Sequence, residues 1–123
     1  MTLPWPAIVA VTLVLGTAAC SSAPPNVATY DPGGSGMDAL LSGTLSITAG
    51  CVTVAAEGGT VWTPVFPGGY TQMAGDTLVL DNRDELLSGD PVELGGGEAS
   101  GVGDAEVPTG CPTDHLWLVA PRS

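Results

Sequence analysis

The sequence has very little positive charge. It contains no lysine and only two arginines, Arg83 and Arg122, against 13 acidic residues, so its formal net charge is −11 at pH 7. Nucleic-acid binding depends on Lys and Arg side chains that neutralise phosphates, so this composition argues against a nucleic-acid partner. Calcium or a cationic partner remains compatible with it, and a net charge far from zero also favours solubility.

Residues for catalysis are equally scarce. The single histidine, His115, would need a hydroxyl or thiol nucleophile beside it, and no G-x-S-x-G motif occurs. The acids form no recognisable frame for paired-carboxylate chemistry. The sequence therefore predicts a protein that is not an enzyme and carries no cofactor or metal, with His115 as a strand residue at the rim of a sheet.

No apolar run reaches the roughly 20 residues that span a bilayer. Residues 7–15 instead fit the hydrophobic region of a secretory signal, and small residues follow at 17–19, directly before Cys20.

With Leu15 and residues 17–19 ahead of Cys20, this segment resembles the lipobox of a bacterial lipoprotein precursor. The resemblance implies cleavage before Cys20 and a diacylglycerol on its sulfur, which would hold the mature chain at the extracytoplasmic face of the cell membrane. Two acyl chains give stable anchoring, since each buried CH₂ contributes about 0.8 kcal/mol. A secretory signal with an incidental Cys20, or an uncleaved anchor, is the alternative.

The sequence predicts three parts. The lipobox resemblance implies a signal peptide at residues 1–19 and a lipid on Cys20, and composition predicts a flexible tether through residue 36 and a single β domain at residues 37–123. The tether is rich in Ser, Pro and Gly and lacks apolar periodicity, so it cannot bury enough surface to become ordered. Tyr30, its bulky residue, is expected in solvent.

Glycine and proline are abundant, and no long stripe of helical period occurs, which favours short strands and turns. Residues 41–48 alternate between apolar and polar side chains and predict a half-buried strand. Five further strands are predicted at 51–56, 61–66, 77–81, 91–94 and 115–120, with a helical turn at 82–88. This all-β pattern suits a small antiparallel barrel, for which an OB-like fold is a candidate, with a two-sheet sandwich as the alternative.

Two cysteines remain once Cys20 carries lipid. Outside the cytoplasm an isolated pair indicates a disulfide, so Cys51 and Cys111 are predicted to be joined. The bond would close a loop of about 60 residues and stabilise the fold by about 4 kcal/mol. A redox or metal-binding pair is the alternative, but no CxxC motif is present.

Two loop segments contain residues that bind ions in other proteins. Residues 81–85 could offer carboxylates to calcium, but their spacing is not that of an EF-hand and Arg83 lies among them, which favours a solvated turn. Glycines 95–97 could form an anion-binding nest, but a strand end or a sharp bend is the simpler interpretation.

The aromatic residues Trp62, Phe66, Tyr70 and Trp117 could form a core or a ligand platform, and Trp62 and Tyr70 are the candidate ligand-binding residues. The sequence thus predicts a membrane-anchored extracytoplasmic lipoprotein that binds a protein, a wall polymer or a small ligand. A structural component of an envelope complex is the alternative, and the scarcity of catalytic residues disfavours a small hydrolase.

Overall fold

The computed structural model describes residues 24–32 and 38–121, and every regular element within these ranges is a β-strand. No helix in this part of the chain is long and apolar enough to cross a membrane. The strands are β1 (Ala28–Tyr30), β2 (Ala39–Ile47), β3 (Val52–Ala56), β4 (Val61–Pro67), β5 (Thr71–Ala74), β6 (Thr77–Leu80), β7 (Asp84–Leu86), β8 (Pro91–Glu98) and β9 (Leu116–Val119).

Five of these strands close into a barrel. Their spatial order is β4-β3-β2-β8-β9, and β9 returns to pair with β4. All neighbours are antiparallel except this closing pair, which is parallel. Numbered within the barrel alone, the strands follow 3-2-1-4-5 and strand 5 closes on strand 3, which is the connectivity of an OB fold. The predicted barrel is therefore confirmed, and the sandwich is not formed.

Alternation along the strands fills the barrel interior. In β2, Leu41 and Leu45 point inward and are buried, whereas Ser42 and Thr44 point outward and are exposed. The other barrel strands contribute further buried side chains to one core, among them Val54, Phe66, Leu94, Trp117 and Val119.

A separate sheet of β5, β6 and β7 packs against this core through the buried side chains of Leu78 and Leu80. Its β6–β7 turn places Asp81 and Asn82 at φ values of 52° and 56°. Positive φ at both central residues is typical of a type I′ hairpin turn, and Asp and Asn tolerate it well. The helical turn predicted at 82–88 was therefore wrong.

The folded part of the chain begins earlier than residue 37, so the predicted tether at 20–36 needs correction. Ala28 in β1 lies opposite Val65 in a parallel pairing with β4, and Asn26 is buried beside it. Tyr30, expected in solvent, donates a hydrogen bond from its hydroxyl to the Val119 carbonyl at 2.7 Å. Cys20 and the predicted signal peptide lie outside the described residues.

The outer face of β4 and β9 carries a second, smaller core. Val65 and Leu116 point away from the barrel interior, yet both are buried with Ala28 of β1. Apolar side chains from residues 99–107 pack over them. Burial on both faces explains the near-continuous apolar character of β9, which pairs with β8 on one side and with β4 on the other.

The glycine run lies inside a strand and does not end it. β8 pairs with β2 up to Gly96 and with β9 from Gly96 onward, so the strand changes partner at this residue. Gly96 has a φ of 150°, and a methyl group on its Cα would overlap the Leu118 carbonyl. Only glycine permits this close approach of two backbones.

Candidate functional site

The disulfide between Cys51 and Cys111 is present, as predicted, with 5.0 Å between the two Cα atoms. It joins the β2–β3 turn to the long loop between β8 and β9. Next to it, the Thr63 hydroxyl of β4 donates to the Pro112 carbonyl at 2.6 Å. The long loop is therefore fixed against the outside of the barrel, and both cysteines have a structural role.

The two predicted ligand-binding aromatics do not come together. Trp62 lies near the start of β4, with ring centroids 5.2 Å from His115 and 5.5 Å from Trp117. Tyr70 stacks on Phe66 at 6.4 Å. Because Phe66 follows Trp62 by four strand residues, the two clusters lie roughly 13 Å apart. All of these rings except His115 pack in or against the main core.

His115 is exposed just before β9. Its ring contacts Trp62, and no hydrogen bond joins it to a carboxylate or hydroxyl of the described residues. The buried Trp117 leaves its indole nitrogen without a hydrogen-bond partner in this part of the chain, and it stands edge to face against Trp62. This cluster therefore lacks the paired base and nucleophile of acyl-transfer chemistry.

A groove of about 800 Å³ lies between the barrel and the three-stranded sheet. One side is residues 91–95, the first five residues of β8, and the other includes all three residues of β7. Tyr70, Leu80 and residues 119–121 also line it. Of the two predicted aromatics, Tyr70 alone belongs to this site.

The groove exposes one edge of β8. Residues 91–94 pair with β2 on one side, whereas the β9 pairing on the other side reaches only to Gly95, whose carbonyl accepts from the Ala120 N–H at 2.8 Å. Backbone groups alternate along a strand, so Glu93 directs its N–H and C=O to the same side as Gly95. No described strand pairs with that edge at residues 91–94.

Prolines lie at both ends of this open edge. Pro91 has no N–H to offer at the start of β8, and Pro121 offers none where the chain leaves β9. Proline at a sheet edge limits uncontrolled pairing with other chains. The edge therefore exposes a short segment centred on Glu93.

The charges around the groove are mainly negative. Asp84, Glu85 and Glu93 line it with the single cation Arg83, which is 70% exposed and 4.0 Å from Asp81. Among the described residues, no three His, Cys, Asp or Glu side chains are placed to hold a metal ion. Residues 81–85 form a hairpin turn and the start of β7.

No protein-family model, curated protein or solved structure matches this chain. What the site can do must therefore follow from its own geometry. An open strand edge in an acidic groove can hold an extended ligand through backbone hydrogen bonds and ionic contacts.

Proposed function

We propose that this protein is a membrane-anchored extracytoplasmic lipoprotein that works as a non-catalytic binding module. The groove between β8 and β7 is the observation that carries the binding role, because it joins an open strand edge to an acidic lining. The lipobox-like segment ending at Cys20 supports the anchor, and the Cys51–Cys111 disulfide suits an oxidising compartment outside the cytoplasm.

The ligand we propose is an extended segment of a protein partner that adds as a strand beside β8. Strand addition draws its affinity from main-chain hydrogen bonds, here to Glu93, and its specificity from alternate side chains. The negative charges of Glu85 and Glu93, two of the lining residues, favour Lys or Arg at those alternate positions.

An assembly role receives less support from the surface. A structural component of an envelope complex is expected to expose a wide apolar patch. The large apolar side chains that are exposed in the described structure lie on four different elements: Leu40, Val61, Leu87 and Val102.

The anchor is tested by the intact mass of the protein from its native membrane. We expect a chain that starts at Cys20 with added acyl groups and gains two hydrogens on reduction. An unacylated mature chain would contradict the anchor and leave a secreted domain.

The binding role is tested by selecting displayed random peptides on the mature chain. We expect enriched peptides to carry Lys or Arg at alternate positions, and Glu93→Lys to weaken them at least tenfold, which corresponds to about 1.4 kcal/mol. Glu57→Lys, the same charge change at an exposed turn outside the groove, is the matched control. Equal weakening by both variants would show a general charge effect and no use of the groove.

A further inference from the structure

The described structure begins very close to the proposed lipid site. Pro24 already takes part in the fold, since its carbonyl accepts a hydrogen bond from the Val27 N–H at 3.1 Å. Only three residues separate Pro24 from Cys20. Four residue steps span at most about 14 Å, whereas a domain of this size is about 30 Å across. The connection is therefore shorter than the domain it holds.

Three segments meet around Pro24 at one end of the molecule. The Asn26 side-chain amide donates to the Thr48 carbonyl at 2.8 Å, and Cys51 is joined to Cys111. Pro24 also lines a shallow depression with Val107 and Pro108, and Glu106 lines it beside them. We refer to these segments together as the uncharged rim: residues 24–27, 48–51 and 107–113.

The rim differs from the rest of the surface in its charge. None of its residues is ionised, although the whole chain carries a net charge of −11. Exposed rim residues include Pro25, Ala49 and Thr109, and the acids that border the third segment are Glu106 and Asp114. An anionic lipid surface repels carboxylates within a Debye length of about 8–10 Å. The rim therefore meets less of this repulsion than a surface that carries carboxylates of its own, and what remains comes from bordering acids such as Glu106.

From the short connection and the missing charge together, we infer that the uncharged rim rests against the lipid headgroups. This inference depends on the proposed anchor at Cys20 and goes beyond it, because an anchor alone leaves orientation open. No residue lines both the groove and the rim, so the groove is left for a protein partner while the rim contacts lipid.

Two matched tryptophan variants test the orientation. Thr109 lies in the rim, and Thr60 lies in the β3–β4 turn at the other end of β3 from Cys51; both are exposed. Lipidated Thr109→Trp and Thr60→Trp are reconstituted in vesicles of phosphatidylcholine and phosphatidylglycerol that contain a headgroup-labelled nitroxide quencher. After subtraction of the parent protein's signal, we expect Thr109→Trp to lose more emission than Thr60→Trp. Thr113→Trp, also in the rim, is expected to behave like Thr109→Trp.

The outcomes separate orientation from anchoring. Equal quenching at rim and turn positions, in protein that floats with the vesicles, would overturn the orientation and leave the anchor intact. Protein from the native membrane that lacks acyl groups and does not float would overturn both.

Discussion

Two walls of the same barrel have very different outer surfaces. On the outside of β4, Thr63 and Val65 are 0% exposed, whereas on the outside of β2, Ser42 and Thr44 are exposed. We call the outer faces of β4 and β9 the covered wall and those of β2 and β3 the bare wall. Both walls contribute side chains to the same interior, so they differ only in what covers their outer faces. The apolar pattern of a strand therefore indicates whether one or both of its faces are buried.

β1 and the long loop between β8 and β9 lie over the covered wall, and they also hydrogen-bond to each other. β1 pairs with β4, and the backbones of Thr29 and Glu106 exchange two hydrogen bonds at 3.0 and 2.8 Å. The long loop, held by the disulfide, lies beside them. Four variants, each with its own comparison, test how far the stability of the fold depends on this covered wall.

The largest effect is expected where β8 passes from the bare wall to the covered one. Gly96→Ala would force a methyl group into the Leu118 carbonyl at a φ that favours glycine, so we expect a loss of at least about 4 kcal/mol or failure to fold. Gly95→Ala is the control, since its added carbon would lie 4.0 Å from the nearest atom, the Ala39 carbonyl oxygen. Urea denaturation compares the two, and equal midpoints would contradict the close approach.

Removal of the disulfide is expected to loosen the covered wall selectively. Cys51→Ala with Cys111→Ala should reduce the free energy of unfolding by about 4 kcal/mol, because the bond closes a loop with a sequence separation of 60. Amide hydrogen exchange should accelerate most in β9 and the long loop and least in the β2–β3 hairpin. Uniform acceleration through the barrel would show that the disulfide stabilises both walls alike.

The same substitution, leucine to alanine, compares how much burial on each wall contributes to stability. Leu116 is 2% exposed on the covered wall and Leu40 is 60% exposed on the bare side of β2. Leu116→Ala should cost about 3 kcal/mol through lost burial and a cavity, and Leu40→Ala less than about 0.5 kcal/mol. Guanidinium denaturation gives the free energy of unfolding of each variant, and the two are compared with the same m-value. Similar costs would mean that the loop does not seal its wall.

The smallest effect concerns Tyr30, which fastens β1 to the end of β9. Tyr30→Phe removes the hydrogen bond to the Val119 carbonyl and should cost about 1 kcal/mol. Burial raises the pKa of Tyr30 in the folded state. Its contribution is therefore complete below the unfolded pKa of about 10 and is lost as the pH rises through the folded value.

The alkaline fall in stability should accordingly be steeper in the parent protein than in Tyr30→Phe. Tyr70 is present in both proteins, so the difference between their denaturation midpoints from pH 8 to 11 isolates Tyr30. A constant difference across that range would contradict the role given to its hydroxyl.

The sequence was sufficient to predict the bare wall and the disulfide. Residues 41–48 alternate because one face of β2 meets the core and the other meets water. Cys51 and Cys111 form the only pair left after Cys20. β1 could not be predicted, because three residues in a Pro- and Gly-rich segment have no period, and their burial depends on Val65, far along the chain. The hairpin turn had a usable signal in Asp81 and Asn82, two residues that tolerate positive φ.

The candidate site was mostly beyond sequence reasoning. Glu93 alternates with Val92 and Leu94, so its outward direction was readable from the pattern. Its open backbone edge was not, since that depends on where β9 leaves β8 at Ala120. The groove brings together β6, β7, β8 and the end of β9, and no local pattern specifies how separate sheets are placed.

β4 pairs in parallel with both β1 and β9, and this arrangement also sets the order in which the strands assemble. The β2–β3 hairpin closes through a short turn. The pairing of β4 with β9, by contrast, requires Leu116, which lies more than fifty residues later in the chain. Long loop closures are slower than local ones. Until β9 is in place, the outer face of β4 therefore stays apolar and only partly covered by β1, and a chaperone would bind the folding chain there.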